Sequence, residues 1–91
     1  MHAVVVSVNI DDRERATKHL RENVVPRVKE APGFVAGWWV QVDDGTKGRG
    51  TVVFESEDAA SKAASQIEAQ AENAEGVTME SVKVGEVAAH A

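Results

Sequence analysis

The chain has 91 residues, of which 43% are hydrophobic and 27% charged, and its formal net charge is −5. This length predicts one domain over residues 1–91, with a thin core that oligomerisation would supplement. The absence of cysteine excludes disulfides, thiolate metal sites and cysteine nucleophiles. The acidic balance argues against nucleic acid or an anionic membrane as the main partner. We find no apolar run of membrane-spanning length and no secretory leader, and we therefore expect a cytoplasmic protein.

The first predicted strand runs from His2 to Asn9. One of its faces carries branched apolar side chains at alternate positions, namely Val4, Val6 and Val8. The other face becomes polar toward its end, with Ala3, Val5, Ser7 and Asn9. This alternation is typical of a strand in a sheet that has one covered face.

A helix is predicted to follow this strand, beginning at Asp11 with Glu14 in capping-box spacing. It has an apolar stripe at every fourth position, formed by Ala16, Leu20, Val24 and Val28. Pro26 lacks a backbone N–H, so we expect a kink or a break near Val25. Pro32 disfavours helical geometry in the residue before it, and the helix must therefore end by Ala31.

Both tryptophans lie in the second predicted strand, between a Pro-Gly breaker and Asp43-Asp44-Gly45. One set of alternate side chains is wholly apolar and is predicted to lie under the helices: Phe34, Ala36, Trp38, Val40 and Val42. The other set is mixed: Val35, Gly37, Trp39, Gln41 and Asp43. Trp38 is accordingly interpreted as a core residue. For Trp39 two interpretations stay open, since it can pack at a dimer interface or can line a cavity and stack on a flat ligand.

The second half of the chain predicts a hairpin, a helix and a last strand. Turn residues at 43–48 lead into a return strand over about residues 49–55. Ser56 caps a helix that Gly76 is expected to terminate, and a strand follows from Met79 to Val87. The apolar stripe of this helix is rich in alanine: Ala60, Ala63, Ala64, Ile67 and Ala71. The order βαββαβ predicts an α+β ferredoxin-like sandwich, with a four-stranded antiparallel sheet and two helices on one face.

Four side chains on the mixed strand faces are candidate ligand-binding residues: Asn9, Trp39, Gln41 and Thr51. Together they would give a pocket with a few polar groups in an apolar lining. The alternative is that the polar ones are partly solvated edge residues or form hydrogen bonds across a dimer. The histidines are too far apart in sequence to predict a metal site, and His19 is interpreted as a solvated boundary residue. The acidic pairs have capping and turn roles, so no catalytic residue is assigned.

Four segments carry a resemblance to known proteins: Asn23–Pro26, Ala31–Phe34, Arg49–Phe54 and Ser56–Ala60. Together they resemble the antibiotic-biosynthesis-monooxygenase-like family of dimeric α+β barrels, over nearly the whole chain. The resemblance implies a homodimer in which two sheets face each other. It also implies a cavity in each subunit, between the sheet and the helices or between the two sheets. The family includes cofactor-free oxygenases of aromatic or quinone substrates, haem-degrading enzymes and small proteins of no known activity.

The resemblance leads to two functional hypotheses. In the first, the chain is a cofactor-free oxygenase or a binder of a flat aromatic or quinol-type molecule. Asn9 and Gln41 then form hydrogen bonds with the ligand, and Trp39 is the stacking wall. Such a substrate forms a stabilised carbanion itself, so no metal or cofactor is expected. In the second hypothesis, the chain is a non-catalytic dimeric module with a structural or stress-related role.

Overall fold

A computed structural model describes residues 1–91, apart from the side chain of Glu72. The strands are β1 (His2–Ile10), β2 (Phe34–Val42), β3 (Lys47–Phe54) and β4 (Val77–Glu86). They form one antiparallel sheet in the order β2-β3-β1-β4. The first helical segment comprises α1 (Arg13–His19), a π-helical turn (Leu20–Val24) and α2 (Val25–Lys29). The second comprises α3 (Glu57–Gln70) and a 3₁₀ turn (Ala71–Asn73). The predicted ferredoxin-like α+β fold is confirmed.

The core lies where α3 packs against the centre of the sheet. Val4, Val52 and Phe54 are at most 1% exposed. They form one cluster with three alanines of α3, namely Ala60, Ala63 and Ala64. Side chains as small as alanine allow the helix to approach the sheet closely. The corresponding stripe on the first helical segment carries larger residues that remain half-buried: Leu20, Val24 and Val28. The space between sheet and helices is therefore filled beside α3 and open beneath the first segment.

The first helical segment begins one residue later than predicted. Asp12, and not Asp11, is the N-cap, and its Oδ1 accepts a hydrogen bond of 3.1 Å from the backbone N–H of Arg15. The cause is Gly76, whose carbonyl oxygen accepts hydrogen bonds from the N–H groups of Asp11 and Asp12 and holds them outside the helix. Gly76 therefore does not terminate α3, which ends earlier, and β4 begins at Val77.

The interruption expected at Val25 is present. The backbone N–H of Val25 bonds to the carbonyl of Leu20, five residues earlier, and Pro26 lies in the first turn of α2. Because proline has no N–H to continue the ordinary ladder, the chain widens into a π-helical turn before it. The longest helix has 14 residues. Within the described part of the chain, no helix has the length and apolar character needed to cross a membrane.

A β-bulge near the start of β2 reverses the predicted facing of the tryptophans. Phe34 pairs with Phe54 and Ala36 pairs with Val53, so that Val35 is an extra residue on β2. One extra residue moves every later side chain to the opposite face of the sheet. Trp38 is consequently 59% exposed on the face away from the helices, and its prediction as a core residue is wrong.

The same bulge corrects the rest of the predicted apolar face. Phe34 lies toward the helices as predicted, with its ring 6.3 Å from that of Phe54. Val40 and Val42 lie with Trp38 on the uncovered face, where they are 52% and 36% exposed. The helix side of β2 is instead formed by residues predicted for the mixed face, namely Gly37, Trp39 and Gln41.

Candidate ligand cavity

A cavity of about 730 Å³ lies between the sheet and the helical layer. Its floor is the helix side of the sheet, and its walls are the first helical segment and α3. The floor is mainly apolar and includes Val6, Val8, Trp39, Gly48 and Gly50. The volume falls within the range of roughly 300–1,000 Å³ that small-molecule sites occupy.

The indole of Trp39 lies flat along this floor because its neighbours are glycines. A Cβ atom on Gly50, its partner on β3, would lie 3.0 Å from the Cδ1 atom of Trp39. A Cβ atom on Gly37 would lie 3.0 Å from the Cη2 atom at the other end of the ring. Both ends of the indole therefore rest over backbone that has no side chain. One face of the ring is left to form part of the cavity surface.

Gln41 closes one end of the cavity by joining β2 to α1. Its Nε2 donates a hydrogen bond of 2.9 Å to Oγ1 of Thr17. Its Oε1 accepts one of 2.9 Å from Nε of Arg13. An amide has two N–H donors and two lone pairs on its oxygen. One donor and one lone pair of Gln41 therefore remain for a ligand at this end.

Polar side chains line the cavity along the first helical segment, each one residue before a member of the apolar stripe. They are His19, Asn23 and Arg27. Nδ2 of Asn23 lies 3.3 Å from Nδ1 of His19. Nη1 of Arg27 donates a hydrogen bond of 2.8 Å to Oε1 of Gln70 on α3, which links the two helical walls. The sequence interpretation of His19 as a solvated boundary residue did not include this cavity-lining position. The spacing of His19, Asn23 and Arg27 at every fourth residue was the available signal.

The structure separates the four candidate ligand-binding residues into two pairs. Trp39 and Gln41 line the cavity. Asn9 and Thr51 lie on the opposite side of the sheet. There Oδ1 of Asn9 accepts a hydrogen bond of 3.4 Å from Nζ of Lys47, and Thr51 pairs with Trp38. The four do not form one pocket within a subunit. The bulge at Val35 exchanges the two faces of β2, while the faces of β1 and β3, which carry Asn9 and Thr51, are as predicted.

The side of the sheet away from the helices is an apolar surface, which we call the open face. Its exposed apolar side chains are Val5, Trp38, Val40 and Val42. Arg49 and Thr51 lie among them on β3, since Thr51 pairs with both Val5 and Trp38 and Arg49 pairs with Val40. Large exposed apolar patches with polar residues among them are typical of interaction surfaces.

Two solved structures have an architecture similar to that of this chain. A dimeric ferredoxin-like protein from an uncultured marine organism is 12% identical, with a TM-score of 0.63 over 99% of this chain and 97% of that one. A monooxygenase from the gene ActVA-Orf6 of Streptomyces coelicolor was solved with the ligand nanaomycin D. It is 23% identical, with a TM-score of 0.59 over 92% of this chain and 82% of that one. No family model and no curated protein matches the sequence. The chain thus has a ferredoxin-like α+β fold, as its sequence predicts.

Proposed function

We propose that the chain is a small cytoplasmic homodimer of monooxygenase type that binds a flat aromatic or quinol-type molecule over Trp39. The observation that carries this proposal is the indole, which rests on glycine backbone and presents one face to an apolar cavity. A planar ligand stacked there would bury both of its faces, one on the ring and the other under the helices. The ligand in the similar monooxygenase supports a small molecule as the occupant.

Each cavity residue has a simple role in this proposal. Trp39 orients the ligand parallel to the sheet, and Gln41 holds one of its oxygen atoms. The apolar floor and the apolar stripe of the first helical segment exclude water from the bound ring. In an oxygenase, O₂ would convert a ring CH₂ group of the ligand into a carbonyl group. One oxygen atom becomes the carbonyl oxygen, and the other leaves as water together with the two hydrogen atoms. A substrate that ionises to a stabilised carbanion supplies the electrons for this step, so the chain has only to bind, orient and desolvate it.

The proposed homodimer forms through the open face. A chain of this length buries a small core, and covering Trp38, Val40 and Val42 would add apolar burial that the single subunit lacks. The dimeric ferredoxin-like protein of similar structure supports this assembly. The homodimer leaves the cavity free, because the cavity lies on the other side of the sheet.

The alternative is a dimeric module without catalytic activity. It is favoured by the contacts that already occupy the polar groups of the cavity. Gln41 is bonded to Arg13 and Thr17, and Arg27 is bonded to Gln70, as in a cavity whose polar groups stabilise the fold. In this alternative the open face is the functional surface.

Titration of hydroxyaromatic and quinol compounds separates the two functions. In a Trp38→Phe background, Trp39 is the remaining tryptophan and reports on the cavity alone. We expect saturable quenching of its fluorescence with one ligand per subunit. For a compound that is also a substrate, oxygen uptake should equal product formed. If no compound of the panel gives saturable quenching, the ligand-binding proposal is wrong and the structural module remains.

A further inference from the structure

We propose that the ligand is an acidic hydroxyaromatic compound that the cavity binds as its anion, with His19 as the acceptor of the hydroxyl proton. This inference rests on the proposed function, since it names the ligand class of the same cavity. It depends on two features of the helical walls: their charge and the position of the imidazole.

The charge of the walls favours an anion. Among the described side chains, those that line the cavity include two guanidinium groups on the first helical segment, Arg21 and Arg27, and one carboxylate in the connection before β4, Glu75. Arg49 also borders the cavity, but it pairs with Val40 on the open face, and its Nη1 donates to the carbonyl of Gly48. The whole chain has a net charge of −5. An excess of positive charge at the cavity of an acidic protein attracts an anionic ligand in preference to a neutral one.

The position of His19 allows it to contact a ligand in the cavity. Its ring is half-buried at the end of α1 and lines the cavity. The amide of Asn23 lies against Nδ1 at 3.3 Å. An amide can present either its oxygen or its nitrogen to a histidine ring. With the oxygen accepting from Nδ1–H, the lone pair of Nε2 is free to take a proton.

The proposed step is a single proton transfer. The O–H bond of the ligand breaks, and its proton forms a bond to Nε2 of His19. The products are an imidazolium ion and an aromatic oxyanion, so charge is conserved. Arg21 from the π-helical turn and Arg27 from α2 also line the cavity, and their positive charge favours the oxyanion. Imidazole is suited to this step because its protonation changes between about pH 5 and 8.

A pair of probes tests this inference separately from the proposed function. The first is a hydroxyanthraquinone, whose visible absorption changes when its hydroxyl ionises. The second is its methyl ether, which has the same ring and no acidic proton. We expect the wild-type protein to bind both. We also expect it to lower the apparent pKa of the bound hydroxyl compound by at least about one unit, or tenfold.

Substitution of the histidine identifies the acceptor. In His19→Gln, the imidazole is replaced by an amide, which can form hydrogen bonds but is not basic. We expect the pKa shift of the hydroxyl probe to be lost and the methyl ether to bind within about twofold of wild type. His90→Gln, in the C-terminal tail, is the matched control and should leave both probes unaffected. Methyl ether binding also verifies that each variant is folded.

The outcomes distinguish the two proposals. If neither probe binds to wild type, the proposed function fails and this inference fails with it. If both bind and the hydroxyl probe keeps its neutral spectrum, the inference is wrong while the ligand cavity stands. If His19→Gln still binds the anion as wild type does, His19 is not the acceptor.

Discussion

Replacing Trp39 with alanine is expected to weaken the binding of a hydroxyanthraquinone by between about fivefold and about 150-fold. Stacking of a flat ring on an aromatic side chain contributes about 1–3 kcal/mol, and this contribution is lost when the indole is removed. Calorimetric titration of the purified variant measures the affinity. The far-UV spectrum and thermal unfolding establish that the variant is folded, since Trp39 also packs against the core.

The neighbouring residue provides a matched control for this experiment. Trp38→Ala also removes an indole side chain, but from the opposite face of the sheet. Its affinity for the ligand should equal that of wild type when both are measured at concentrations where the subunits are associated. Equal losses in the two variants, or no loss in Trp39→Ala, would contradict the assignment of the cavity as the ligand site.

Trp38→Ala is expected to raise the dissociation constant of the homodimer by about 30-fold or more. A tryptophan at the centre of an interface contributes about 2 kcal/mol or more when it is covered by the partner. Trp38 lies at a suitable place, because it is 59% exposed within one subunit and has Val40 on the same strand face. Sedimentation over a wide range of protein concentration measures the constant.

The control for the dimer is the reciprocal variant. Trp39→Ala changes the helix side of the sheet, and its dimer should dissociate at the same concentration as that of wild type. If wild type sediments as a monomer throughout the accessible range, the open face does not hold two copies together. An unchanged dimer in Trp38→Ala would place the interface elsewhere on the subunit.

The fold could be predicted from short-range patterns that tertiary structure did not override. The valines of β1 alternate as a half-covered strand requires, and Val4 is fully buried. Ser56 caps α3 as predicted, with its Oγ accepting a hydrogen bond of 3.2 Å from the N–H of Ala59. The alanine stripe of α3 lies against the sheet. Each of these features was predicted from residues close together in sequence.

The facing of β2 could not be predicted in the same way. Its alternate residues from Phe34 to Val42 are all apolar, so local alternation alone indicated that they share a covered face. The bulge at Val35 depends on pairing with β3, which is a long-range contact. One signal for the true arrangement was present in the glycines near Trp39. Gly37 lies on the same strand face, and Gly50 is the partner of Trp39 on β3. Glycines on a strand make room for a large neighbour.

The resemblance implied a cavity, but its position could not be predicted from local sequence patterns. The cavity lies beneath the half-buried Leu20, Val24 and Val28. Beside it, the alanines of α3 pack directly against the sheet and leave no such space. The distance between a helix and a sheet is a property of tertiary packing. The four-residue repeat of His19, Asn23 and Arg27 could be recognised in the sequence. That these side chains line a cavity could not, because it depends on the distance between the helix and the sheet.

The indole N–H signals of isotope-labelled protein test most directly which tryptophan faces the ligand. The chain has two tryptophans, so each signal can be assigned with one Trp→Phe variant. When the methyl ether probe is added, we predict that the Trp39 signal shifts with saturation and that the Trp38 signal stays in place. A saturable shift of the Trp38 signal with an unmoved Trp39 signal would show that the ligand binds on the open face, and would contradict the cavity as the binding site.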